Sequence, residues 1–342
     1  MLAAPAAAEP PRPAPPPSQP PSPAPAQVPA PASSPAPSAV RAATTPTVSE
    51  RSRLSIEPSG HAINHLSIEN PLGDVKIEGY DGTAIQIETH KFAPDDDALD
   101  RLHISLVPNP DGTVSIRTTA DGGKEVRPVA RGAVRIDLTV RAPRAARVEA
   151  AVSSGSLEEL NMDAGGDLDT SSGPISVRNV QGEVLTHSVS GTTRIAQVFG
   201  SVDAQTLSSD LDLDTIGGDR LIASANHGQI TGRRIRARDI ELTTTDGRIV
   251  LEAEAALRGR LVVSSFRGDV DVQLRRNGAV IVRARGIKVD LGAAARGQAA
   301  QPDGWVQATL GTPEAAQLIE TALVELRAAQ GNVRFSVIES RP

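Results

Sequence analysis

The chain has 342 residues, a formal net charge of −6 and a sequence pI of about 5.6, and only 2% of its residues are aromatic. An acidic chain with no basic stripe interleaved with aromatic residues is not expected to bind nucleic acid. Cysteine is absent, which excludes disulfides and thiolate metal sites, and no apolar run approaches the ~20 residues of a transmembrane segment.

Residues 1–52 are rich in proline and alanine and predict a disordered tether. Of the 27 prolines in the chain, 16 lie at or before Pro46. Such a segment cannot bury enough apolar surface to fold, and it favours extended polyproline II. Its start, Leu2–Ala8, resembles the end of a secretory signal with a small-residue cleavage site. We therefore expect an exported protein, periplasmic or at the cell surface.

Residues 53–147 predict an irregular group of strands at the start of a folded domain that spans 53–342. Alternating aliphatic residues surround Gly73 between Leu66 and Ile77, and the acidic run Asp95–Asp97 suggests a loop. Further strands are predicted at Ile85–Glu88, at His103–Val107 and Thr113–Arg117 as a hairpin, and at Val134–Val140. We expect this region to cover the open edge of the repeat that follows.

The stretch 148–292 is an internal repeat. Small or aliphatic residues precede each corner by seven, five and three places, and aliphatic residues follow it by two and four. The corners lie 18, 18, 18, 19, 19, 21 and 17 residues apart. They are Gly155, Gly173, Gly191, Ser209, Gly228, Gly247, Gly268 and Arg285. This alternation indicates two short strands per repeat, each with one buried face.

A repeat of about 18 residues is too short to bury its own core, so that neighbouring repeats must stack. Strands of stacked repeats would pair in parallel, ~4.8 Å apart. We therefore predict an all-β fold, a right-handed parallel β-helix or β-solenoid. A column of small residues three places before the corners favours it: Thr170, Ser188, Thr206, Ala225, Thr244 and Ser265. The alternative is a β-sandwich with strands of similar spacing.

Residues 293–342 predict C-terminal coils and a cap. Ala293–Asp303 suggests a loop and Trp305–Leu310 a strand. A short helix is predicted over 313–322, with Thr312 as its N-cap, and the repeat pattern returns over 323–338 around a corner at Gly331. A helix continuing to residue 330 is the alternative.

Several segments carry a resemblance to a known family. A strand ends in proline at Leu138–Pro143, just before the repeats. The corner motif recurs at Ser154–Leu157, Ser172–Ile175 and Ser190–Thr193, with further corners at Gly182–Val184 and Gly200–Val202. In these features residues 60–340 resemble the bacterial putative adhesins, a domain of unknown function. The resemblance implies a right-handed β-helix, usually exported, with adhesion as its inferred role and no catalytic residues. The chain departs from it at the Ser209 and Arg285 corners, at His227 before Gly228, and in its long tether.

Alternate carboxylates on one predicted strand are the first candidate surface. Asp210, Asp212 and Asp214 would point outward about 6.6 Å apart. Carboxylate oxygens so placed could bind Ca²⁺. Arg194 occupies the position one coil below Asp212, which favours lateral ion pairs over a metal site.

Asp169 and His187, followed by Gln205, would fall in one outward column and are the second candidate surface. A carboxylate beside an imidazole can serve as an acid–base pair, but an imidazole among polar neighbours is more commonly solvated surface. No Ser-His-Asp order, phosphate loop or His-Glu-x-x-His motif accompanies the pair. We therefore predict no catalytic, cofactor or metal site. The charged residues of both candidate surfaces are predicted to form an outward binding surface: Asp210, Asp212, Asp214, Arg194, Asp169 and His187.

The sequence predicts a non-catalytic, exported β-solenoid that serves as an adhesin or interaction scaffold. Its partner would be an unidentified cell-surface polymer or protein, held by an outward face. The alternatives are a polysaccharide-active enzyme or carbohydrate-binding module on the same fold, and an intracellular scaffold.

Overall fold

Alternating aliphatic and polar residues form strands through most of the chain that the computed structural model describes, which is residues 48–58, 61–120, 134–292, 296–311 and 321–338. In the strand Glu183–Ser190, for example, Val184, Thr186 and Ser188 are buried, while the residues between them are half-buried or exposed. The predicted all-β class is confirmed. The predicted tether, residues 1–52, lies outside the described residues except for residues 48–52. The predicted helix, residues 313–322, lies outside them except for residues 321–322.

Within the described ranges the strands are numbered in chain order. The first are β1 Val48–Ile56, β2 His65–Asn70, β3 Val75–Tyr80, β4 Ile85–Ala93, β5 Leu102–Pro108, β6 Thr113–Ala120 and β7 Arg135–Pro143. The central ones are β8 Arg147–Ser154, β9 Leu157–Leu160, β10 Gly165–Ser172, β11 Ile175–Gln181, β12 Glu183–Ser190, β13 Thr193–Phe199, β14 Val202–Thr206, β15 Leu211–His227, β16 Ile230–Asp246, β17 Ile249–Ala255, β18 Arg260–Ser265 and β19 Val270–Arg276. The last are β20 Val280–Arg285, β21 Val289–Asp290, β22 Arg296–Ala300, β23 Val306–Leu310, β24 Ala322–Ala328 and β25 Val333–Ile338.

The central strands pair in parallel with a constant offset. Val148 pairs with Gly166, Gly166 with Val184, and Val184 with Val202, each 18 residues further along the chain. The offset then becomes 19 residues at Leu221 and again at Ile240, and 21 at Leu261. We call each strand–corner–strand segment a rung. Because side chains alternate along a strand, this register puts the aliphatic residues of every rung on the same inward face.

Glycine is required at corners such as Gly173 because successive corners lie directly against one another. A Cβ atom built on Gly173 would lie 1.9 Å from the carbonyl oxygen of Gly155, and the φ of Gly173 is +131°. A second bend, between successive central rungs, uses residues with positive φ that are not glycine: Asn161, Asn179, Gln197, Thr215 and Arg234, with φ between 52° and 59°. The two kinds of bend fold each rung back towards the next one.

Replacing Gly173 with alanine should therefore be costly. The new methyl group would clash with a backbone oxygen of the neighbouring rung and would hold alanine at a positive φ, which costs about 1–3 kcal/mol for the backbone alone. Gly217→Ala is the matched control, since a Cβ there meets only the Phe199 ring at 3.3 Å. Urea denaturation should show a loss for Gly173→Ala that is at least twice that of Gly217→Ala. Equal losses would contradict the corner packing.

The order of the rungs in space differs from their order along the chain at both ends. Near the N-terminus, β2 lies between β6 and β8, and β3 lies between β7 and β9. Near the C-terminus, β24 lies between β18 and β20, and β25 lies between β19 and β21. The rungs β2–β3 and β24–β25 are therefore inserted, with paired neighbours on both sides.

Antiparallel strands cover the rungs beyond the inserted ones. At one end β1 pairs with β4, β4 with β7, and β5 with β6. At the other, β23 pairs with both β20 and β22. The predicted hairpin is confirmed as β5 and β6. β1 crosses the predicted domain boundary between residues 52 and 53, and it belongs to the same compact unit as the other described strands.

The structure corrects four local predictions. Asp95–Asp97 belongs to a helical turn, α1 Asp96–Leu99, because the Asp95 side chain accepts a hydrogen bond from the Ala98 amide. The predicted loop at 293–303 contains β22. The alternative helix to residue 330 is wrong because Ala322–Ala328 forms β24. The predicted stacking of the Arg285 corner on the Gly268 corner is also wrong, since Gly331 lies against Gly268 instead.

Candidate functional site

A groove of about 550 Å³ crosses the outer face of β2, β8, β10, β12, β14 and the second half of β15. Equivalent positions of successive rungs line it, so that it runs perpendicular to the strands. Six strands at ~4.8 Å spacing make it about 24 Å long. The register places one column along it, polar except at Ala151, which consists of Glu69, Ala151, Asp169, His187, Gln205 and Ser224.

Small side chains form the floor of the groove. Thr170, Ser188 and Thr206 line it three places before their corners and are only 5–6% exposed. The Ser188 hydroxyl donates to the Gly191 carbonyl over 3.3 Å, which ties the floor to the corner. The column of small residues that the sequence revealed therefore borders the groove, although these residues occupy the inward positions of their strands.

Aliphatic side chains form one wall. Val189 and Leu207 stand side by side in neighbouring rungs, two places before their corners, and are 51% and 48% exposed. The first rungs carry Ser153 and Ser171 at this position. Sequence reasoning missed this wall, although aliphatic residues at an outward position occupied elsewhere by serine were a usable signal.

Two carboxylates and an imidazole meet in and beside the groove. Asp169 Oδ1 lies 3.5 Å from His187 Nδ1, and the ligand atoms of Asp167, Asp169 and His187 all lie within 4.8 Å of one another. Burial raises the pKa of Asp167, and the neighbouring Asp169 carboxylate raises it further. Asp167 Oδ1 is buried and has no hydrogen-bond partner among the described residues. The sequence placed Asp169 and His187 in one column, and the structure adds Asp167 to them.

The other four candidate residues lie outside the groove, on or beside β13 and the first half of β15. Asp212 pairs laterally with Arg194 across β13 and β15, and its carboxylate lies 3.9 Å from Arg194 Nε and 3.4 Å from Arg233 Nη1. Asp214 forms an ion pair with the Arg234 guanidinium. The Asp210 carboxylate accepts a hydrogen bond from the backbone amide of residue 229 over 2.8 Å. Arginine and backbone partners thus engage these carboxylates, as the ion-pair interpretation expected, and they are separate from the groove.

Glu159 is a buried carboxyl group behind the groove. It occupies an inward position of β9, laterally between Ile77 and Val177, and neither carboxyl oxygen has a hydrogen-bond partner among the described residues. Burial raises its pKa to about 7, an effect that Arg147 partly offsets. The backbone of Gly166 leaves the space it needs, because a Cβ there would lie 2.9 Å from either oxygen. The repeat pattern could have revealed Glu159, since it stands four places after the Gly155 corner, where aliphatic residues are expected.

Comparison with known proteins gives no match to a family model and none to a curated protein sequence. The chain is similar to a putative adhesin from Bacteroides fragilis, at 11% identity and a TM-score of 0.36, over 85% of this chain and 98% of that one. A putative lipid binding protein from Parabacteroides distasonis has 11% identity and a TM-score of 0.33, over 86% and 98%. A putative cell adhesion protein from Clostridium sporogenes has 10% identity and a TM-score of 0.24, over 85% and 100%. Within the described residues, no helix is long and apolar enough to span a membrane.

Proposed function

We propose that the rungs form a right-handed parallel β-helix, exported to the periplasm or cell surface, that binds an extended polymer along the groove without catalysis. The β-helix is supported by parallel pairing at a nearly constant offset and by glycine corners that lie against one another. Its folded domain would begin by Val48, after the proline- and alanine-rich segment that serves as a tether.

The observation that carries the binding role is that equivalent positions of six neighbouring strands line one groove, five of them polar, with exposed aliphatic residues beside two of them. A linear polymer presents the same chemical groups at regular intervals, and a groove built from equivalent positions offers one contact position at each interval. The groove is open and shallow, which suits a chain passing through it better than a small molecule that must be enclosed.

The groove lining favours a polymer rich in hydroxyl groups, such as a neutral polysaccharide. Carboxylates accept hydrogen bonds and cannot donate them when ionised, so Asp169 is matched to hydroxyl donors. Gln205 and His187 can both donate and accept. The two carboxylates Asp167 and Asp169 lie together and would repel a polyanion, whereas the Glu69 carboxylate at the groove lining is neutralised by an ion pair with Arg117. Each shallow contact is weak, and several tethered copies on one surface would raise the total strength of attachment.

The test is retention of the full-length chain on immobilised polysaccharides, with a neutral glucan, a galactan and a polyuronate as the panel. Gln205→Ala and Leu207→Ala should each weaken retention by about 2–10-fold, as the loss of one hydrogen bond or contact does. Gln273→Ala and Leu257→Ala are matched controls, because both residues are exposed outside the groove. Equal effects of all four variants, or no retention on any polymer, would contradict the proposal.

The enzyme alternative is tested with the same materials. Incubation with each polysaccharide is expected to release no product. Product release that is lost in Asp169→Asn and His187→Gln would replace the non-catalytic role with a polysaccharide-active one, since those two residues form the acid–base pair of the groove.

A further inference from the structure

We propose that Asp167, Asp169 and His187 bind one divalent cation of the zinc class at the wall of the groove. This inference does not depend on polymer binding, because it concerns the metal alone.

The backbone brings the three side chains together. Asp167 and Asp169 are two residues apart on β10, so both point to the outer face of the sheet. Parallel pairing places His187 of β12 directly beside Asp169. Zinc bonds of about 2.0–2.1 Å in a tetrahedral site imply ligand atoms about 3.3 Å apart. Asp169 Oδ1 and His187 Nδ1 already lie 3.5 Å apart. The ligand atom of Asp167 lies within 4.8 Å of both, so that a rotation of its side chain would complete the set.

Asp167, Asp169 and His187 lie in a region with an excess of negative charge. Asp167 has Glu149 beside it on β8 and Asp169 two residues away on β10, so that three carboxylates lie close together. The nearby Arg147 pairs with Glu183 at 3.3 Å. A divalent cation would offset the repulsion between the two aspartates and would give the buried Asp167 Oδ1 the partner it lacks.

The donor set favours zinc over calcium and magnesium. Ca²⁺ takes six to eight oxygen ligands, and Mg²⁺ prefers octahedral oxygen coordination with several waters. Two carboxylates with one imidazole suit Zn²⁺ or Co²⁺, and three protein ligands leave a fourth position for water or a ligand group. That position would face the groove, because Asp169 and His187 line it.

A second His–Asp pair provides the control. His227 Nδ1 lies 3.0 Å from Asp246 Oδ2, but the Arg267 guanidinium also forms an ion pair with Asp246. The arginine already neutralises that carboxylate. His227→Gln therefore removes an imidazole from a similar exposed pair without touching the proposed site.

The experiment is titration of the full chain, produced without a polyhistidine tag, with Zn²⁺ by calorimetry and with Co²⁺ by visible absorption. We expect one site per chain, a Co²⁺ spectrum of low coordination number, and no comparable binding of Ca²⁺. Asp169→Asn and His187→Gln should weaken Zn²⁺ binding by about tenfold or more, since even residues that only orient ligands matter this much. His227→Gln should leave it unchanged.

Thermal unfolding gives a second measurement. Zn²⁺ should raise the melting temperature of the wild-type chain and of His227→Gln, and should not raise that of the two site variants. No Zn²⁺ binding to the wild-type chain, equal weakening in all three variants, or preference for Ca²⁺ would each overturn the proposal.

Discussion

Glu159→Gln is expected to stabilise the protein by about 3 kcal/mol at pH 8 and to leave its stability at pH 4 nearly unchanged. Burial raises the pKa of Glu159 from 4.5 to about 7. The folded protein therefore binds this proton more tightly than the unfolded chain does. The free energy that protonated Glu159 contributes to stability is greatest below pH 4.5. It falls as the pH rises to about 7 and does not change further above that. Glutamine resembles the protonated form and carries no charge at any pH.

The measurement is the free energy of unfolding in urea between pH 4 and pH 8. Glu158→Gln is the matched control, because Glu158 lies next to Glu159 on β9 but faces outward, 3.7 Å from Lys76. Losing such an exposed pair should change stability by less than about 1 kcal/mol. If the difference between wild type and Glu159→Gln were the same at both ends of the pH range, the charge would not be buried as described.

Phe335→Ala should destabilise the protein by about 3–5 kcal/mol, the usual cost of removing a buried aromatic ring. Phe335 is 1% exposed, lies in the inserted rung β24–β25, and pairs laterally with Val272 of β19. The cavity would loosen a rung whose neighbours on both sides depend on it. We therefore expect hydrogen exchange to speed up in β20 and β24 together.

The control for this prediction is Phe199→Ala, because Phe199 is 59% exposed. It should cost less than about 1 kcal/mol and leave exchange in β20 unchanged. Faster exchange confined to β25 would show that the rungs on either side of the insertion are stable without it.

Much of the local structure could be predicted from the sequence because each rung repeats one pattern. The alternation around Gly73 predicted β2 and β3, and the alternation from Val134 to Val140 predicted β7. Asp169 and His187 were predicted as lateral neighbours from the 18-residue spacing alone. The spacing defines which residues meet as long as consecutive rungs are neighbours.

The inserted rungs could not be predicted because parallel partners are chosen by packing over long distances. The patterns around Arg285 and Gly331 both fit a place beside Gly268, and nothing local distinguishes them. The groove was predicted only in part, since the column of Asp169 and His187 followed from the spacing whereas the exposed Val189 and Leu207 break the pattern of outward serines. Glu159 was not predicted as a buried carboxyl group, because one exception among many aliphatic residues does not interrupt the repeat pattern.

The inserted rung β24–β25 also affects the order in which the molecule can be completed during synthesis. Residues 260–290 are synthesised before residues 322–338, so β18 and β20 stand on either side of an unfilled space until that segment is added. Two strand spacings make that space about 9.6 Å wide, and its two edges carry unpaired amide and carbonyl groups. A prematurely terminated chain would keep this seam open and would be exposed to aggregation and proteolysis. Residues 322–338 therefore close the seam between β18 and β20. We expect only chains that contain this segment to accumulate stably.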